Sequence, residues 1–255
     1  MICDTHNDFP TKLSGKSFFD YIKYCEKSGV KVILASVFTT EQHNPWYVIS
    51  HTIHHIQYYA SHNNIKILLH VEDLGYLKDI NDLNKLIDLK PFSCGLVWNY
   101  DNTIATQKGL TEFGRIVVQK LKEHNILIDL AHANKKTFYQ AVKIIKKHIF
   151  VSHTGFYALC RHKRNINNRQ ARRIIKSGGF IGLFLVRSFM KGGLNAHISH
   201  AARLGGKDNI GIGTDYLGTR DLLPGYKKYA ELSERVPHQI LYQNFINFLS
   251  RIGKL

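Results

Sequence analysis

The stretch Cys3 to Pro10 reads CDTHNDFP and sets an imidazole, His6, two positions from a carboxylate, Asp8. In an extended strand residues i and i+2 point to the same face, so these side chains converge on one point. Taken alone, such a pair is half of a metal site or a surface pair. The other donors are expected where further apolar runs end: Glu72 closes ILLHVE, His132 closes ILIDLAH, His153 closes IFVSH and Asp215 closes IGIGTD. Each run would otherwise be pure core, where an unpaired polar group is costly. A shared cation centre removes that cost for all of them together. Imidazole and carboxylate donors without thiolate suit zinc, manganese or a similar divalent ion. Three histidines with two or three carboxylates exceed the needs of one tetrahedral zinc, so two ions are expected, about 3.5–4 Å apart with one carboxylate bridging them.

The chain carries 15 histidines, and some must fall at strand ends by chance. His70 in LLHVED and His148 in KKHIF are read as satisfied polar residues. His51, His54 and His55 in HTIHHI are read as a solvated helix face. Chance does not account for such groups at five of eight strand ends.

The elements that must position them are short apolar, β-branched runs with helical patterns between, the signature of βαβ units and a parallel sheet. In order the strands are MICDTH, VKVILASVF, IKILLHVE, CGLVW, ILIDLAH, IFVSH, GFIGLFLV and NIGIGTD. Between them, TEFGRIVVQKLKEHN has an apolar stripe of Phe113, Val117 and Leu121, continued by Ile116, Val118 and Lys120, and a basic opposite face. Thr111 suits its N-cap, and Gly114 three positions on rules out a capping box. Eight alternations fit a (β/α)8 TIM barrel, whereas a doubly wound sheet usually stops at five or six strands. The expectation is one domain over residues 1–255 with its chemistry at the C-terminal ends of the strands. Gly178-Gly179 is read as the turn into the seventh strand, and Cys160 as a packed thiol.

A chain of 255 residues with 44% hydrophobic composition buries a large core, and no linker or low-complexity tract divides it. Cys3, Cys25, Cys94 and Cys160 are widely spaced without a C-x-x-C pair, against a zinc knuckle or a disulfide framework. Reduced thiols, no basic leader before an apolar stretch and no membrane-length apolar window lead to the expectation of a cytoplasmic protein with no membrane partner. The net charge of +16 invites nucleic acid. The lysines and arginines are dispersed without interleaved aromatics, so a solvated basic surface is expected and no specific nucleic acid.

DTHND, VED, GLVWNYDNT, GLTEFGRIVVQKLKEHNILIDLAH, FVSHTGFYALCRHKRN and IGIGTDYLG resemble, in order, the motifs of the renal or membrane dipeptidases, a peptidase family within the amidohydrolase superfamily. ILYQNF near the end is similar to the family's closing motif, so the resemblance covers nearly the whole chain. It implies a zinc-type metallo-dipeptidase that hydrolyses dipeptides by a metal-bridging hydroxide. His6 and Asp8 would hold one ion, His132 and His153 the second, and Glu72 would bridge them. Asp215 stands at the position of the family's catalytic acid/base, and Arg164, followed by Asn165, at the position that binds the substrate's terminal carboxylate. Two departures stand out. Asp215-Tyr216-Leu217-Gly218 keeps only the first Asp of the family's Asp-Phe-Asp-Gly. Where mammalian members have an oxyanion-holding His after the fourth strand, this chain offers Trp98, Asn99 or Tyr100. The loops after SVFTTEQ and GTRDLL are short, and a homodimer is left open. The rival readings are a hydrolase of another amide, lactam or ester on the same scaffold, and a non-catalytic or nucleic-acid-binding relic.

Overall fold

The computed structural model describes residues 1–38, 44–60 and 64–255. Strands β1 (Ile2–Asn7), β2 (Val30–Phe38), β3 (Lys66–Glu72) and β4 (Ser93–Gly95) are followed by a small antiparallel hairpin, β5 (Ala105–Thr106) with β6 (Gly109–Leu110). Strands β7 (Leu127–Asp129), β8 (Phe150–Thr154), β9 (Phe180–Leu183) and β10 (Ile210–Ile212) follow. Apart from the hairpin, the strands close into a parallel barrel in the order β1-β2-β3-β4-β7-β8-β9-β10, the last pairing with the first. The expected (β/α)8 TIM barrel is what the chain forms, with every expected strand in its place. Helices lie between consecutive barrel strands, among them Gly15–Lys27, Pro45–Ala60, Glu112–Glu123, Lys135–Ile145 and Asn168–Lys176. The short loop expected after β2 falls on residues 39–43, outside the described residues.

Alternation along the strands decides what fills the barrel. In β2, Val32 and Leu34 face inward at the bottom, while Ile33, Ala35 and Val37 pack outward under the helices. The bottom is sealed by aromatics: Phe150 and Phe180 meet Phe245 and Phe248 of the C-terminal helix Asn244–Arg251. Midway up, the Thr5 hydroxyl donates to the Ser152 carbonyl 2.7 Å away, joining β1 to β8 across the interior. Glycine at 182 and 213 permits that approach, because a Cβ on either would collide with the same carbonyl.

Thr111 caps the Glu112–Glu123 helix by accepting from the Gly114 amide at 2.8 Å, without a capping box. The apolar stripe needs one correction. Val117, Val118 and Leu121 are buried, but Ile116 is 47% exposed, because 100° per residue carries it round to the far side of the helix. The histidine helix needs another. His51 and His54 are exposed, whereas His55 is half-buried against Phe18 at 4.8 Å, since this face packs on the Gly15–Lys27 helix. Gly178, at φ 68°, does make the turn into β9. The four cysteines are free thiols, three buried and Cys160 half-buried. Among the described residues no helix is long and apolar enough to cross a membrane.

Candidate active site

The expected donors come together at the C-terminal rim of the barrel. His6 and Asp8 leave β1, Glu72 ends β3, His132 follows β7, His153 lies in β8, and Asp215 follows β10. Glu72 divides its two oxygens between the histidines. Its Oε1 lies 3.1 Å from His132 Nε2 and 3.8 Å from His153 Nε2, while Oε2 lies 3.6 Å from His6 Nε2. His6 Nε2 is also 3.6 Å from Asp8 Oδ2. Two donor groups thus share Glu72, one with His6 and Asp8 and one with His132 and His153, and either could hold a metal ion. A third group joins His6 and His153 to Asp215.

Local backbone explains how the last turns aim these side chains. His132 and Asp215 adopt φ of 63° and 62°, in the left-handed region, which costs on the order of 1–3 kcal/mol at each residue. β7 and β10 end at Asp129 and Ile212, short of the ends of their apolar runs, so both residues sit in the turns that follow the strands. Gly218 is required opposite, since a Cβ there would collide with Asp8 Oδ2 and Asp215 Oδ1. Buried Asp4 braces the same turn by accepting from the Thr214 amide at 2.8 Å and the Thr214 hydroxyl at 2.7 Å.

Electrostatically the rim is incomplete as protein alone. Burial, and then neighbouring cations and imidazoles, hold His6, His132 and His153 well below the ordinary histidine range, in the neutral ligating form. Burial and then the Glu72 and Asp215 charges push Asp8 well above the usual carboxylate range. Glu72 is likewise raised well above that range, by burial and then by Asp215. Asp215 is raised to about 6 by burial, against the opposing pull of Arg164. Among the described residues Asp8 Oδ2 is buried with no hydrogen-bond partner, and the Nε2 atoms of His132 and His153 face one another at 3.1 Å. His132 Nδ1 donates to Asn99 Oδ1 at 3.1 Å, leaving a lone pair on its Nε2. An orphaned carboxylate oxygen and converging imidazole nitrogens are a donor set that fits a metal ion.

Above these groups opens a cavity of about 670 Å³, walled by Phe38, Trp98, Phe184 and Phe189 and reached by Arg164 and Asp215. Arg164 is buried over the Phe184 ring at 5.7 Å, and among the described residues no carboxylate lies within ion-pair distance of it. Asn165 turns away from the cavity. Its amide donates to the Cys160 and Phe189 carbonyls, both at 2.9 Å, and accepts from the Gly155 amide at 3.1 Å, so it ties down the loop that carries Arg164. Tyr100 is 49% exposed, packs edge-on against Trp98 and lies outside this cavity, which Trp98 and Asn99 do line. His70 is buried, with Nδ1 2.8 Å from the Ser93 hydroxyl and Nε2 3.5 Å from Asp129, ion-pair distance without a hydrogen bond.

Sequence reasoning missed the layer beneath the donors. Ser36 contacts His6 Nδ1 at 3.1 Å, Asn99 holds His132, and Ser152 with Asp129 stands behind His153. A usable signal existed for Asp129, a carboxylate inside the apolar run ILIDL. None existed for its pairing with Ser152, 23 residues away.

The sequence model of the family described as membrane dipeptidase (peptidase family M19) matches residues 38–244. An uncharacterized dipeptidase of Schizosaccharomyces pombe is 25% identical over 142 residues, which are 48% of this chain and 34% of that protein. The matched stretch therefore spans about a third of that relative's length. Among solved structures, the dipeptidase AC, a metallopeptidase of family M19, superposes with a TM-score of 0.85 at 18% identity, covering 100% of this chain and 99% of that one. A Rhodobacter sphaeroides metallopeptidase liganded with a phosphinate mimic of the dipeptide L-Ala-D-Ala gives 0.84 at 17% identity, covering 98% and 99%. An amidohydrolase of Pseudomonas aeruginosa gives 0.80 at 19%, covering 99% and 96%. At such identities the superpositions establish a shared fold.

Proposed function

Since the chain belongs to the membrane dipeptidase family, peptidase family M19, we propose that it is a metal-dependent dipeptidase acting at this barrel rim, with residues 1–255 working as one domain. The supporting observation is the meeting, in one cavity, of a set of possible metal donors and a buried arginine that has no carboxylate of the described residues within ion-pair distance. His6 and Asp8 would hold one divalent ion and His132 and His153 a second, with Glu72 between them; zinc suits the donors best and manganese next. Bound there, such ions polarise the scissile carbonyl and bring a water's pKa toward neutrality.

The chain's own groups do the rest. Arg164 offers a planar fork to the C-terminal carboxylate of a dipeptide, in a pocket where burial strengthens the contact. Asn165 keeps that loop in place, a positioning role. Asp215, raised to about 6, suits a proton carrier near neutral pH: its carboxylate takes a proton from the attacking water and delivers it to the leaving amine. Of the three residues expected to replace the family's oxyanion-holding His, Asn99 is engaged with His132 and Tyr100 is outside the cavity. The Trp98 indole is then the group from that stretch that faces substrate.

The test is a hydrolysis panel of dipeptides, including ones with D-residues, beside N-acyl amino acids and lactones, run with zinc or manganese before and after chelation. Dipeptide turnover that disappears with chelator and returns with metal is the expected result. Turnover of lactones or N-acyl amino acids alone would overturn the dipeptide assignment.

A further inference from the structure

Below the metal donors, three buried side chains form a line. Ser152 Oγ lies 2.5 Å from Asp129 Oδ2 and 2.8 Å from His153 Nδ1. Their relative exposures are 0% for Ser152, 1% for Asp129 and 2% for His153, so these direct contacts are shielded from bulk solvent. The serine has one proton to give and two neighbours able to receive it. A carboxylate only accepts, and an O–H···O⁻ bond is stronger than one to a neutral nitrogen, so the proton points at Asp129. The Ser152 oxygen is then an acceptor toward the imidazole, and His153 must carry its proton on Nδ1.

We propose that Asp129, acting through the Ser152 hydroxyl, fixes the tautomer of His153 so that its Nε2 lone pair faces the metal centre. Asp129 is a positioning residue in this scheme, and the scheme rests on the reading of His153 as a metal ligand. The carboxylate is itself held in plane: its Oδ1 accepts from the Ala131 amide at 3.0 Å and the Ser152 amide at 2.8 Å. His132 reaches the same tautomer by a different route, through Asn99. The two imidazoles whose Nε2 atoms are 3.1 Å apart are thus both set to ligate, one by an amide oxygen and one by a carboxylate relayed through a hydroxyl.

Asp129→Asn tests this without changing volume. The asparagine oxygen can go on accepting from the Ala131 and Ser152 amides, but its NH₂ donates to Ser152 Oγ. The serine proton must then turn to His153 Nδ1, and the imidazole proton moves to Nε2. The imidazole ¹⁵N shifts of His153 in metal-free protein are expected to exchange their protonated and unprotonated positions. Zinc affinity is expected to fall roughly tenfold to hundredfold, the usual cost of disturbing an outer partner of a ligating His. Adding Ser152→Ala removes the misdirected donor, so the double variant should regain part of the lost affinity, which a merely structural role for Asp129 would not produce. Wild-type ¹⁵N shifts and zinc affinity in Asp129→Asn overturn the proposal, as does an affinity loss that the double variant fails to relieve. Should Asp129→Asn not fold, Ser152→Ala alone serves: mixed tautomers at His153 are expected, and a single unaltered tautomer overturns the scheme. Failure of the wild type to bind zinc would instead sink the metal-centre reading, because the ¹⁵N pattern is read without metal.

Discussion

The two ends of the barrel interior are built from the same strands and behave as different materials. β8 contributes Phe150 to the bottom and His153 to the top; β1 contributes Cys3 below and His6 above. Below, Phe150, Phe180, Phe245 and Phe248 satisfy one another by contact, with Phe248 stacked on Phe150 at 5.9 Å and 13°. Above, Asp8, Glu72 and Asp215 crowd one another with one oxygen unpartnered among the described residues, and three imidazoles are held neutral by burial. About three residues, or some 10 Å of strand, separate an end closed by apolar contact from an end crowded with ionisable groups. Stability and chemistry are therefore separable along the barrel axis.

The sharpest way to expose that separation is Asp215→Asn. Loss of the proton carrier should lower kcat by about 10²- to 10⁴-fold, with metal content and Tm kept. Because Asp215 also lies in a donor group with His6 and His153, loss of metal in this variant would reassign it as a ligand. At the opposite end, Phe248→Ala should cost about 3–5 kcal/mol of stability in denaturant titration while the zinc stoichiometry of the folded protein is unchanged. A change in stoichiometry would show that the ends are coupled. Removing metal acts on the top alone: with free zinc at about 100 times its Kd, binding adds about 2.7 kcal/mol, so chelation should lower Tm reversibly, and a flat Tm would count against cations at the rim. Arg164→Ala should raise KM for dipeptides roughly tenfold to hundredfold, the loss of about 1.5–3 kcal/mol from a charged hydrogen bond. Dipeptide amides, which lack the carboxylate, should show little change, and an equal effect on both would remove the assigned contact.

Much of the architecture was legible because its signals are local. Short apolar, β-branched runs marked the strands, and polar residues ending those runs marked His6, Asp8, Glu72, His132, His153 and Asp215, which do gather at one rim. Ile116 went astray because apolarity was weighed before its angle around the helix, and His55 because its burial depends on a neighbouring helix. Asn165 and Tyr100 illustrate the same limit at the site. A motif fixes their positions in sequence, but three backbone contacts turn Asn165 into a loop anchor, and Tyr100 points outside the cavity.

By itself, then, the sequence determined which residues end strands and which face they share, because side-chain direction follows from φ and ψ a few residues at a time. Tertiary structure alone decided which of them touch. That Ser152 lies between Asp129 and His153, that Thr5 crosses the interior to β8, and that Glu72 presents one oxygen to each pair of donors are outcomes of barrel closure and strand stagger. Those distances depend on every strand at once, and no local period encodes them.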